Sequence, residues 1–316
     1  MRAQLLGLDP ATYAPHPLHA APRTYTETNC FTDIVVELLH ARGDEPLAML
    51  GCTFRLDFEG DQFTFFKPDP RDLEELYGVD IHEMQPYRPL PQQLVEALAR
   101  GRTMTIELDS WYLPDVTATA YRKAHVKSSV VVEGIDPEAE RLRYFHNAGL
   151  YDLEGEDYRG VFRLGRLSDD VLPPYTELVR FDAGPGLDDA GRRAYALERL
   201  PQHVERGPRD NPFARFAESL EEELPRLLEG SMEDYHAYAF ATVRIAGSGY
   251  ELASAHVEWL LGADHPAKAA CDRIVEGCKL LGFRLARRKP FDAAPIVDDL
   301  VDAWDTARGA LFASAR

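Results

Sequence analysis

Apolar positions recur with two different periods along this chain, and the change of period divides it. Phe31, Ile34, Val35, Leu38 and Leu39 fall at i, i+3, i+4, i+7 and i+8, which predicts one buried helix face running to His40 and ending near Gly43. Residues 49–58 and 62–67 read as two strands joined by Glu59-Gly60-Asp61, a hairpin. A short helix is expected over 69–77, and a second over 90–99 with Gly101 as its stop. Strands follow at 104–108, 126–133 and 141–145, with further short ones near 151–153 and 161–164. Past about Val179 the period is helical to the end, over 188–200, 212–229, 232–246, 250–261, 265–281 and 292–312. Asn211 before Pro212 is a helix start, because proline at the first helical position lacks only an N–H that would be unpaired anyway. Residues 1 to about 27 look irregular and are expected to wrap the domain. The resulting division is an α+β domain over 1–180 and an all-α domain over 181–316, separated by the turn-rich stretches Pro173-Pro174 and Ala183-Gly184-Pro185-Gly186.

Composition narrows the functional classes. With 53 acidic against 35 basic residues the net charge is −18, which disfavours general nucleic-acid binding. No apolar run of about 18 residues is present and the start is too short in apolar residues for a signal peptide, so the reading is cytoplasmic with no membrane partner. Cys30, Cys52, Cys271 and Cys278 show no metal spacing, and Cys271 and Cys278 read as packing within one helix. No P-loop or dinucleotide fingerprint occurs, so no bound cofactor is expected. The densest basic run, Arg284, Arg287, Arg288 and Lys289, either ends a helix, whose negative pole attracts cations, or docks an acidic partner.

Chemistry concentrates around Tyr25-Thr26-Glu27-Thr28-Asn29-Cys30. Thr28 and Asn29 are good N-cap residues, which puts Cys30 in the first helical turn. Unpaired N–H groups and the positive dipole end there favour a thiolate and can hold an oxyanion. The plainer account is a small buried thiol that packs the helix start. His125 stands at the head of the 126–133 strand, and the following strand ends in His146-Asn147. A thiolate needs an imidazole to stay charged and to protonate the leaving group, and the imidazole needs an acceptor to set its tautomer. Asn147 is favoured for that third role, with Asp136 as the alternative.

This chain order, with Cys on the first core helix, His at a strand start and Asn or Asp on the next strand, resembles papain-like cysteine acyltransferases and peptidases. His125 before an apolar strand and Gly134-Ile135-Asp136 resembles the N-terminal domain type of butirosin biosynthesis protein H. The acidic–aromatic run Asp109-Ser110-Trp111-Tyr112-Leu113-Pro114-Asp115, then Tyr121-Arg122 and Tyr144-Phe145-His146-Asn147-Ala148-Gly149, is also similar to an uncharacterised bacterial family associated with amino acid:carrier-protein ligases. The resemblance covers about residues 1–170. It implies a papain-like first domain, catalytic Cys30, His125 and Asn147, oxyanion support from Asn29 and Thr24, and a substrate channel walled by Trp111, Tyr112, Asp115 and Tyr121. Thr24 occupies the place where papain-type enzymes carry a glutamine. The implied reaction moves an acyl or aminoacyl group from a carrier protein's phosphopantetheine thioester to a small amine through acyl-Cys30. An amidase or peptidase using the same residues, and a non-catalytic binding protein, are the alternatives.

Overall fold

The structure is a computed structural model, described over residues 2–20, 23–27, 29–165 and 172–314. It forms two compact units. The first comprises Met1–Pro17, Cys30–Pro46 and Pro70–Leu187, and the second Leu18–Asn29, Leu47–Asp69 and Asp188–Arg316. Two segments expected in the α+β domain, Leu18–Asn29 and Leu47–Asp69, therefore pack with the helical half of the chain.

The first unit is built on an antiparallel sheet. Its strands are β1 (Ala3–Gln4), β2 (Asp80–Met84), β3 (Thr103–Asp109), β4 (Lys127–Asp136), β5 (Arg141–His146), β6 (Gly149–Glu154) and β7 (Thr176–Arg180). They run in the order β2-β7-β3-β4-β5-β6, and β1 pairs with β4. The helices of this unit are α1 (Cys30–Ala41), α2 (Pro70–Tyr77), α3 (Leu90–Ala99) and α4 (Glu156–Val161). The 161–164 stretch, expected as a strand, is the end of α4 and a turn, while β2 and β7 arise where no strand was anticipated. Both are short, with exposed residues in β2 and half-buried charged residues in β7, so neither shows the apolar alternation that marks β3 to β6.

Alternation along β4 separates two faces. Val130 and Val132 enter a core with Leu108, Leu142 and Tyr144, together with Leu94 of α3 and Tyr158 of α4. Val131 pairs with Phe145 and points the other way. The Phe145 ring meets Tyr13 edge-on at 5.6 Å, and the Tyr13 hydroxyl donates to Glu37 of α1. Helix α1 therefore covers the face that carries Val131, Ser129 and Lys127. Burial on both sides explains why β4 reads as a continuous apolar run.

The irregular N-terminal residues are held by buried carboxylates. Glu133 Oε1 accepts the N–H groups of Leu6 (3.1 Å), Gly7 (2.7 Å) and Leu8 (3.1 Å). Glu37 Oε1 accepts from His16 N at 3.0 Å, beside the Tyr13 contact. Burial, and after it the charge of Glu37, push the Tyr13 phenol far above its usual range, so it stays a donor.

The second unit contains α5 (Asp189–Glu205), α6 (Pro212–Glu229), α7 (Met232–Ala239), a π turn at Phe240–Arg244, α8 (Ile245–Leu261), α9 (Pro266–Ala286) and α10 (Ala294–Ser314). The Asn211 side chain caps α6 by accepting from Phe213 N and Ala214 N, as the Asn-Pro pair predicts. The expected 49–58 and 62–67 hairpin is not formed: Pro46–Arg55 is a 3-10 helix, and only a single antiparallel bridge joins Phe58 to Phe63. Phe58 and Phe63 pack on each other and on Phe216 of α6, with ring centroids 5.1–5.7 Å apart. The apolar spacing there serves an aromatic cluster against a helix, which satisfies the same pattern without a strand ladder. No described helix is long and apolar enough to cross a membrane.

Replacing Glu133 strands three N–H groups and leaves a hole in a fully buried site. Glu133→Ala is expected to lower unfolding stability by about 3 kcal/mol in chemical denaturation, and to expose the first residues to limited proteolysis. Glu133→Gln, which keeps an acceptor oxygen, should lose less on both measures.

Candidate active site

Two polar clusters flank the β3–β4 pair, one on each face. The first begins where β3 ends. Asp109 Oδ1 accepts Trp111 N at 3.0 Å and so caps a 3-10 turn over Ser110–Tyr112. The chain returns from this excursion through Ser110 N donating to Val126 O at 2.9 Å, which places His125 next to Asp109. His125 Nδ1 lies 2.7 Å from Asp109 Oδ2, and the Trp111 ring stacks on the imidazole at 4.6 Å with an interplanar angle of 7°. A carboxylate edge and an indole face thus fix the ring. Donation from Nδ1 leaves Nε2 as the basic nitrogen, the tautomer a general base requires.

Lys127 follows on the same side of β4 and donates to Glu107 Oε1 at 2.8 Å. That hydrogen bond holds the ammonium above the ordinary lysine range, with a smaller contribution from the charge of Cys30. Cys30 opens α1, on the face that carries Lys127, and is half-buried. Cys30 and Lys127 therefore share one sheet face, and Asp109, opposite Lys127 in the strand register, orients His125.

Asn147 is placed differently. It takes a left-handed backbone, φ 45°, in the two-residue turn between His146 and Gly149, a conformation asparagine tolerates better than most side chains. Asp136 Oδ1 accepts Glu138 N and Ala139 N in the β4–β5 turn. The carboxylate found on His125 is neither; it is Asp109, a residue that drew attention only as part of an acidic–aromatic run.

The second cluster lies on the α3–α4 face. His146 Nδ1 is 2.5 Å from Asp115 Oδ2, and His146 Nε2 is 2.6 Å from Ser128 Oγ. The Tyr144 hydroxyl donates to Asp115 Oδ1 at 2.5 Å. Burial, then the charge of Asp115, push the Tyr144 phenol far up, so it remains protonated. Asp115 is thus a buried acceptor here. Tyr112 lies against Gly160 of α4, where a Cβ would meet its ring at 2.2 Å. Tyr121 donates to Asp157 Oδ2 at 3.0 Å, and Arg122 to Asp157 Oδ1 at 2.6 Å. Of the four expected channel residues, Trp111 stands beside His125, while Tyr112, Asp115 and Tyr121 belong to this other face. In the sequence His146 stands out only within the Tyr144–Gly149 run and Ser128 not at all; strand register brings them together.

The remaining candidates lie in the second unit. Asn29 is buried and its side-chain amide donates to Phe66 O at 3.2 Å. Thr24 N and Tyr25 N donate to the two Glu251 oxygens, each at 2.7 Å. Thr28, the other expected N-cap, lies outside the described residues. Arg284 is in the last turn of α9, Arg287 is its C-cap with the guanidinium 4.5 Å from the centre of the Phe283 ring, and Arg288 donates to Glu229 O at 3.2 Å. These contacts make the run a helix terminus, and Lys289 follows it in sequence. No group of three or more His, Cys, Asp or Glu with metal-binding geometry occurs among the described residues.

The DUF1839 N-terminal domain matches residues 14–181, and the DUF1839 C-terminal domain matches residues 190–313. The chain belongs to the DUF1839 family. No curated protein matches it. Both family segments are present in this DUF1839 chain, and the residues of both polar clusters fall inside the N-terminal one.

Among the four thiols, Cys52, Cys271 and Cys278 are at most 1% exposed, and burial pushes the Cys271 thiol up to about 12. Iodoacetamide at neutral pH should therefore alkylate Cys30 at least about tenfold faster than the other three. Peptide mapping that finds equal labelling of all four in the folded protein would count against a reactive Cys30.

Proposed function

We propose that this DUF1839 protein is a cysteine-dependent acyl or aminoacyl transferase of papain-like type. Cys30 takes the acyl group from a thioester on a carrier protein's phosphopantetheine arm and delivers it to a small amine. The observation that supports this reading most is the His125–Asp109 pair, with Nε2 unclaimed by Asp109, on the sheet face that receives the start of α1.

The chemistry follows from those groups. His125 Nε2 takes the Cys30 proton, Sγ attacks the thioester carbonyl, and the departing thiol recovers the proton. The amine then attacks acyl-Cys30, His125 accepts its proton, and Sγ leaves. Thioester exchange is nearly isoenergetic, so the barrier is governed by orientation and by oxyanion support. That support falls to the N–H groups opening α1, since the Asn29 amide is engaged with Phe66 O. The phosphopantetheine belongs to the substrate, and the protein binds no cofactor of its own. A free thiol nucleophile suits a reducing compartment, the cytoplasm. Carrier proteins are generally acidic, so with a net charge of −18 docking calls for a local basic patch, and Arg284, Arg287, Arg288 and Lys289 are the candidates.

Incubation with a small aminoacyl thioester should acylate Cys30 in the absence of amine, with turnover on adding an amine. Acylation followed by turnover with water alone would select the amidase alternative, and no acylation would leave a binding protein. Asp109→Ala is expected to cut turnover by about 10²-fold or more while Asn147→Ala changes it little, because only Asp109 sets the His125 tautomer. Arg287→Glu with Arg288→Glu should raise the KM for carrier-borne substrate and leave a small free thioester unaffected. Loss of thermal stability with unchanged carrier kinetics would assign the cluster to the fold instead.

A further inference from the structure

The cluster on the α3–α4 face has no part in the Cys30 reaction, yet its hydrogen bonds have a definite direction. Tyr144 stays protonated and donates to Asp115. Asp115, 3% exposed in its side chain, is then an acceptor for His146 Nδ1 at 2.5 Å. With its proton on Nδ1, His146 must accept at Nε2, so the Ser128 hydroxyl at 2.6 Å is the donor. The histidine is 1% exposed, whereas Ser128 keeps partial solvent access at the head of β4. Ser128 pairs with Leu108 of β3. Ser110, two residues on, bears a buried hydroxyl with no hydrogen-bond partner among the described residues.

We propose that Ser128 is a second nucleophile, activated by His146 and oriented through Asp115, which accepts acyl groups from small activated esters or thioesters. A triad is recognised by geometry and by the role of each atom, not by chain order, and the order Asp115, Ser128, His146 is no obstacle. The Ser128 proton passes to His146 Nε2 as Oγ bonds to the substrate carbonyl carbon. The tetrahedral oxyanion can take the unpartnered Ser110 hydroxyl as a donor. Collapse breaks the bond to the alkoxide or thiolate, which leaves with the proton from His146. Water repeats the sequence on acyl-Ser128, releasing a carboxylic acid and restoring the hydroxyl. Asp115 balances the imidazolium and transfers no proton.

The test uses the full chain, both wild type and with Cys30→Ala, treated with ethyl fluorophosphonate and mapped by mass spectrometry. Ser128 should be phosphonylated equally in both, which separates this site from the thiol. His146→Gln should slow labelling by about 100-fold or more, with circular dichroism confirming that the variant is folded. A second measurement places Ser128→Cys in the Cys30→Ala background and follows alkylation by iodoacetamide. A thiolate–imidazolium pair gives a rate nearly independent of pH from about 5.5 to 8, whereas an isolated thiol gains about tenfold per pH unit below its own titration. The proposal stands only if both results are obtained. Absence of label on Ser128 in the folded wild-type chain, or an introduced thiol with ordinary pH dependence, overturns it and makes the cluster a buried structural network.

Discussion

A backbone N–H removed from water must find an acceptor, and in this protein several irregular N-terminal N–H groups find it in carboxylates. The described residues before Cys30 have almost no secondary structure. Glu133 gathers three N–H groups of the first residues, Glu37 takes another, and in the second unit Glu251 takes those of Thr24 and Tyr25. Each is a charge-assisted bond, roughly twice as strong as its neutral counterpart. Each carboxylate also projects from a regular element: β4, α1 and α8 respectively. The irregular chain is therefore tied to regular elements within each unit.

The sheet applies the same economy to polar side chains. Strands β3 and β4 are one pair of adjacent strands, but their period of two sends neighbouring residues to opposite faces. Asp109, Glu107 and Lys127 serve the α1 side, where His125 is held. Ser128, one residue along, serves the α3–α4 side, where His146 and Asp115 wait. Two histidines thus acquire carboxylate partners on opposite sides of one strand pair. The excursion between β3 and β4 supplies something to both: Trp111 stacks on His125, and Asp115 pairs with His146. A one-residue slip of β4 would exchange the faces and dissolve both clusters, which ties the chemistry of the protein to its register.

The helix at 31–40, the strands of β3 to β6 and the helical character past residue 187 were all legible from apolar spacing. These are long or strongly periodic stretches whose burial is decided by local pattern. Strands β2 and β7 were not legible: β2 lies at the sheet edge and β7 between β2 and β3, and both are short and lack apolar alternation. The 49–67 region misled for the opposite reason: Phe58 and Phe63 have the spacing of a hairpin, but their rings pack with Phe216, and a cluster of aromatics on a helix satisfies the same burial.

At the candidate site, the residue types were visible in the chain and their partnerships were not. Cys30 at a helix start follows from local preference, because capping and apolar period act over a few residues. His125 at a strand head follows likewise. The acceptor for His125 was sought further along the chain, at Asn147 after the next strand or at Asp136, whereas Asp109 comes from the preceding strand. Asn147 and Asp136 are both consumed by the turns that let β4, β5 and β6 reverse direction. Local composition determined which elements exist and which chemistry-bearing residues head them. Only the tertiary structure decided which carboxylate meets which histidine, because side-chain pairing depends on strand register and on which face each residue turns to, and neither is carried by any one segment alone.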